Sequence, residues 1–81
     1  MFTVYIIQNS STQRYYVGYT EDLQERLLRH NSGRNISTKN GGKWTVVHTE
    51  ELPDKVSAWK REREIKKYKG GNSFKKLISG L

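Results

Sequence analysis

The sequence predicts an α+β fold: a small mixed sheet of three strands with flanking helices, in the order ββα-β-αα. Three observations carry that expectation. Two β-branched and aromatic runs, residues 2–8 (FTVYIIQ) and 14–20 (RYYVGYT), flank a polar five-residue turn. A third such run, residues 44–49 (WTVVHT), stands apart from them, beyond a polar stretch. Between and after these runs, apolar residues recur at helical spacing, with capping residues ahead of them.

Each element has a local reason. Asn9, Ser10, Ser11, Thr12 and Gln13 form the turn of the first hairpin. Gly18 interrupts the second strand; glycine weakens a strand and marks a bend, a bulge or a close approach to the backbone. Thr20 is suited to cap a helix, with Glu21 and Asp22 in the first turn offsetting the macrodipole. That helix is expected over residues 21–30, stopping near Asn31, Ser32 and Gly33. Residues 32–43 (SGRNISTKNGGK) read as a polar, mobile loop leading to the third strand. Pro53 and Asp54 break and cap the chain ahead of a long helix over residues 55–69. Gly70, Gly71 and Asn72 end it, with Asn72 expected to cap a short last helix over residues 73–78. Trp44, Trp59 and Phe74 read as core, and Tyr15, Tyr19 and Tyr68 as packing residues.

With 81 residues there is room for a single domain, spanning residues 1–81, and one modest core. The chain has no cysteine, which excludes a disulfide framework and Cys-based zinc sites. No apolar run approaches the roughly 18 residues that cross a bilayer, and no signal peptide is evident. No membrane association is expected, and the cytoplasm is the expected location. The net charge of +7 is one-sided. Residues 1–54 balance six basic side chains against six acidic ones, whereas residues 55–81 set nine Lys/Arg against Glu62 and Glu64. Such a surface attracts polyanions, nucleic acid foremost, although solubility alone would also account for it.

The candidate site residues come from the wheel and the hairpin. On the first helix Leu23, Arg26, Leu27 and His30 share an arc of about 100°, with the leucines toward the core and Arg26 and His30 on its flank. Taken singly, Arg26 reads as a snorkelling surface residue and His30 as a C-terminal cation. On the long helix, Ala58, Trp59 and Ile65 mark the apolar side, and Glu62 falls among them. A carboxylate there needs an arginine, another donor or a metal, and a structural salt bridge would suffice. Glu64 points away and reads as a solvated partner for nearby lysines.

Thr3-Val4-Tyr5, Tyr16-Val17-Gly18, Leu23-x-x-Arg26-x-x-x-His30 and Ala58-x-x-x-Glu62, in this order, resemble the GIY-YIG nuclease domain, and in particular its small single-domain endonuclease-like group. The likeness spans residue 2 to about residue 69. Thr3 stands where the name-giving motif has glycine, and Val17 replaces isoleucine; neither removes a catalytic side chain. No second DNA-binding domain, such as many members carry, is seen. The resemblance implies hydrolysis of phosphodiesters with one divalent ion, Mg²⁺ or Mn²⁺. It assigns catalytic positions to Tyr5, Tyr16, Arg26, His30 and Glu62, with Glu62 holding the metal. It also implies DNA as partner, branched, flapped or damaged, and leaves room for a protein partner that supplies the target.

The residue types suit that chemistry. One carboxylate suffices for Mg²⁺, whose shell is completed by water and substrate phosphate. Arg26 can present a bidentate fork to phosphate oxygens as charge builds. Tyrosine ionises near 10, so a cationic site would have to lower Tyr5 or Tyr16 before either served as a base; histidine titrates near neutrality. The preferred division of labour orients Tyr5 toward the attacking water with His30 assisting, and leaves Tyr16 to position water or phosphate. Arg34, Lys39, Lys43, Arg63 and Lys66 are the expected backbone contacts, with plain solvation an equal alternative for Arg34, Lys39 and Lys43. The leading reading is a metal-dependent, structure-specific or repair-related DNA endonuclease. The alternative is a non-catalytic nucleic-acid-binding module or an accessory subunit of a nuclease. A carboxylate inside a basic face favours the enzyme, because without a metal it repels phosphate.

Overall fold

The computed structural model describes residues 1–32, 43–68 and 70–79. Strands β1 (Phe2–Asn9), β2 (Tyr15–Thr20) and β3 (Trp44–Leu52) form one sheet in the order β2-β1-β3, with both pairings antiparallel. Helix α1 (Leu23–Asn31) follows β2, and α2 (Lys55–Lys67) and α3 (Asn72–Ser79) follow β3. This is the expected α+β order. No described helix is long and apolar enough to cross a membrane.

The central strand organises the core, because its side chains alternate between faces. Val4 and Ile6 pack with Ala58 and Ile65 of α2 and Phe74 of α3. Tyr5 and Ile7 turn the other way, toward Trp44, Tyr16 and the α1 leucines Leu23 and Leu27. All four of these β1 side chains are essentially buried.

The hairpin turn is held by Asn9, whose Oδ1 accepts the backbone N–H groups of Ser11 (2.9 Å) and Thr12 (3.0 Å). Gln13 takes the left-handed conformation that closes it (φ 63°). The cap of α1 lies two residues later than expected. Asp22, not Thr20, is the N-cap, its Oδ1 accepting from the Glu25 N–H at 3.1 Å. Thr20 completes β2 and spends its hydroxyl on Asp22, accepting the Asp22 N–H at 3.1 Å. Asp54 caps α2 as expected, accepting the Ser57 N–H at 2.8 Å. Asn72 begins α3 itself, one residue ahead of the expected start.

β3 runs three residues past its expected end, carrying Glu50, Glu51 and Leu52 opposite Val4, Thr3 and Phe2. Glutamate is a poor strand former, but the ladder to β1 overrides propensity. Arg61 further satisfies Glu50, its Nε reaching Oε1 at 2.7 Å and its Nη2 reaching Oε2 at 2.9 Å. His48 adds a contact to Glu50 Oε2 at 2.7 Å. Arg61 holds the Glu50 carboxyl below its usual range. The same guanidinium pairs with Glu64, so Glu64 serves an arginine rather than lysines.

Trp59 is the clearest departure from expectation. It is 44% exposed rather than core, because the α2 side facing the sheet is filled by the smaller Ala58 and by Ile65. Tyr15 is also partly solvent-facing and meets Phe74 edge-on at 5.0 Å. The ends of the polar stretch are fixed. Ser32 caps α1 through the Leu28 carbonyl at 2.8 Å, and the Lys43 carbonyl accepts the Ser10 N–H at 2.9 Å. Arg34 and Lys39 lie outside the described residues, as does residue 69, the expected end of the long helix.

Candidate active site

Five consecutive β2 residues, 16–20, line a cleft of about 580 Å³ together with Tyr5, Arg26, Lys55, Glu62 and Lys66. Consecutive residues of a strand point to opposite faces, so the cleft follows the free edge of β2. Four of the five catalytic candidates therefore meet in one place: Tyr5 from the central strand, Tyr16 from the edge strand, Arg26 from α1 and Glu62 from α2.

Gly18 makes that meeting possible. It pairs directly with Tyr5 across the ladder. A Cβ at Gly18 would lie 2.7 Å from Tyr5 Oη, 2.9 Å from Tyr5 Cζ and 3.2 Å from Tyr16 Cε1. Of the meanings a strand glycine can carry, close approach is the one realised, and what approaches is the phenol ring of Tyr5.

His30 does not line the cleft. It lies behind the tyrosines, only 1% exposed, with its ring edge-on to Tyr16 at 4.7 Å and 6.1 Å from the Trp44 ring. Its Nε2 is 3.4 Å from Tyr5 Oη, a long hydrogen-bond distance. Burial, reinforced by the nearby Arg26 charge, lowers its pKa, so it is a neutral core imidazole and not a solvated C-terminal cation. Burial also pushes the Tyr5 phenol up to about 12; the neighbouring Tyr16 and the Glu62 carboxylate add to this, and Arg26 opposes it. The lowering that a tyrosine base requires is thus absent from the protein's own charge set, and Tyr5 is a neutral phenol across the physiological range.

Three buried donors or acceptors have no partner among the described residues: Arg26 Nε, His30 Nδ1 and Trp44 Nε1. Arg26 is the telling one, since it lines the cleft and an unmatched guanidinium N–H is costly to bury. As a cleft-lining residue, Arg26 is placed to meet an anion there.

Glu62 is largely buried (side chain 14% exposed), with Lys66 Nζ 2.8 Å from its Oε1. Lys66 thus occupies the carboxylate from the same helix, one turn on. Among the described residues no group of three or more His, Asp or Glu side chains could hold an ion. The donor set still fits a magnesium-like ion, which keeps most of its waters and takes one carboxylate plus phosphate. Lys66 pairs with Oε1 of that carboxylate, so an ion taking the same oxygen would displace it.

Lys55, a cleft residue the sequence reading missed, was detectable. Lys55, Glu62 and Lys66 share about 40° of the α2 wheel, so a residue that places Glu62 in the cleft places both lysines there too. The acidic rim of Glu21, Asp22 and Glu25 was also missed; Asp22 there is the α1 cap. Of the expected DNA contacts, Lys66 lines the cleft, Arg63 is exposed on α2, and Lys43 is exposed with its backbone tied to Ser10.

A family model described as the GIY-YIG catalytic domain matches residues 1–75. A UPF0213 protein of Halobacterium salinarum is 40% identical over 67 residues, covering 82% of this chain and 86% of its own length. A UPF0213 protein of Staphylococcus epidermidis is 33% identical over 78 residues, covering 95% and 94%. The solution NMR structure of a UPF0213 protein from Bacillus halodurans superposes with a TM-score of 0.59 at 31% identity, over 98% of this chain and 84% of that one.

Proposed function

The chain belongs to the GIY-YIG catalytic domain family, a nuclease-type fold, and on that premise we propose that it is a metal-dependent DNA endonuclease working as a single cytoplasmic domain. The observation that carries this reading is that Arg26 lines the same cleft as the largely buried Glu62 carboxylate. Beyond its pairing with Lys66, a carboxylate in that cleft serves no purpose in a binding module, whereas a hydrolase uses both groups around one phosphodiester.

Arg26 takes the non-bridging oxygens of the scissile phosphate, meeting charge as it develops. Glu62, released by Lys66, holds one Mg²⁺ or Mn²⁺, which when bound supplies Lewis-acid polarisation of the phosphate. Tyr5 orients the attacking water through its hydroxyl. A pKa of about 12 makes a free phenolate expensive, so Tyr5 passes the proton on as it receives it. The acceptor behind it is neutral His30 Nε2, 3.4 Å away in the resting protein. Phosphate bound to Arg26 would offset the charge that disfavours protonated His30. Tyr16 stacks near Tyr5, with ring centroids 6.3 Å apart, and positions water or phosphate at the mouth.

Branched, flapped or damaged DNA is the proposed substrate class, in a repair context, with a protein partner supplying further target choice. The test is nicking of supercoiled plasmid and of a labelled branched DNA, with Mg²⁺ or Mn²⁺, with chelator, and with Glu62→Ala. Metal-dependent cleavage lost in the variant supports the enzyme. Metal-independent binding without cleavage supports the module or accessory reading instead.

A further inference from the structure

Trp59 plays no part in the chemistry above, yet it is an indole left 44% exposed in a small protein with a limited core. Arg63, one turn later, holds its guanidinium carbon 4.8 Å from the Trp59 ring centroid. On the α2 wheel Trp59 adjoins the cleft residues, within about 60° of Lys55, Glu62 and Lys66. Along the axis it falls between Lys55 and Glu62, about 4.5 Å from the level of Glu62.

We propose that Trp59, steadied by Arg63, is a stacking platform for an unpaired nucleobase beside the phosphate held in the cleft. This deepens the nucleic-acid reading of the cleft and rests on it. A basic groove with aromatic side chains along it is how unpaired strands are bound, since every base offers a π-face. A duplex keeps its base faces stacked and could not use the indole. An apolar protein partner fits poorly, because Lys60, Arg63 and Lys67 surround the exposed Val56 and Trp59 with positive charge. The platform would therefore select substrates with an unpaired nucleotide next to the cut, such as flaps, gaps or loops.

The test is titration of the full chain with labelled oligo(dT) and with a duplex of equal charge, in chelator and at fixed salt. Binding is read by anisotropy and by intrinsic fluorescence. Trp44 is buried, so quenching reports chiefly on Trp59. Wild type should be quenched by oligo(dT). Trp59→Ala should bind it on the order of 5- to 150-fold more weakly, with duplex binding unchanged. Trp59→Phe should recover most of the affinity without the quench, which separates stacking from misfolding. Equal oligo(dT) binding by Trp59→Ala and wild type, equal loss on oligo(dT) and duplex, or no wild-type quench would each overturn the platform. Trp59-dependent binding in a protein that never cleaves would instead sink the endonuclease reading and leave the platform standing.

Discussion

Replacing Gly18 with alanine is the sharpest probe of how the cleft is built. The added Cβ would meet Tyr5 Oη at 2.7 Å and Cζ at 2.9 Å, where non-bonded carbons settle at about 3.5–4.0 Å. Either the Tyr5 ring retreats by roughly 0.7–1 Å or β2 lifts from β1 by a similar amount. Retreat is resisted, because Tyr5 is fully buried and His30 Nε2 is already 3.4 Å from its hydroxyl. Overpacking of this kind costs about 1–3 kcal/mol, and at about 4–8 °C per kcal/mol the melting temperature should drop by roughly 4–24 °C. A displacement near 1 Å at an attacking group also costs on the order of 100-fold in rate. The assay is a double-mutant cycle with Tyr5→Phe, followed by thermal unfolding and by plasmid nicking. Removing the hydroxyl removes the shortest contact, so the stability losses should combine to less than their sum, by about 0.5–1 kcal/mol or more. Strict additivity, or a Gly18→Ala protein that melts like wild type, would refute the close-approach account.

Three further outcomes follow from the geometry. The folded-state pKa of His30 is lowered, so the unfolded chain binds its proton first. Stability should hold above pH about 6.5 and decline below it, by up to about 1.4 kcal/mol per pH unit, until the folded pKa is reached. Urea midpoints at pH 8 and 5.5 should show this slope shrinking in His30→Gln; an unchanged slope would assign it elsewhere. Lys66→Met frees Glu62 Oε1 and should tighten Mn²⁺ binding on the order of two- to fivefold by titration calorimetry, whereas weaker binding would mean that Lys66 assists the ion. Arg61→Ala removes both guanidinium bonds to Glu50, leaving it the His48 contact, and should cost about 1–3 kcal/mol in denaturant unfolding, partly relieved by adding Glu50→Gln.

Much of this was legible in the chain. The hairpin and Asp54 as cap followed from local rules, because turn chemistry and capping act within a few residues. Gly18 stood out in the same way, but bend, bulge and close approach stayed open until the Tyr5 ring decided between them. Glu62 was legible as a carboxylate on a packing face. Trp59 was not, because periodicity locates the apolar arc of α2 without saying how wide a strip the sheet can cover. Ala58 and Ile65 fill that strip, and the largest side chain on the arc is left outside. The full length of β3 was hidden for a related reason: Glu50 and Glu51 discourage a strand locally, and only pairing with β1, and for Glu50 the arginine of α2, reverses the preference. His30 looked like a helix-end cation because its burial is supplied by Tyr16 and Trp44, neither of them near it in sequence. Lys66, expected on the DNA backbone, is also the partner Glu62 required, which the wheel allowed but did not single out.

The amide of Asn31 has a consequence for how this framework could acquire new targets. Its Oδ1 accepts the Trp44 N–H at 2.8 Å and its Nδ2 donates to the Trp44 carbonyl at 3.3 Å. Ser10 binds both backbone groups of Lys43 at 2.9 Å. The points where the chain leaves α1 and enters β3 are therefore fastened independently of the length between them. Lengthening a closed segment costs little, about 0.6 kcal/mol per doubling. Residues 33–42 are thus a natural graft point: an inserted recognition module there would leave the register of β3 and the geometry of the cleft untouched.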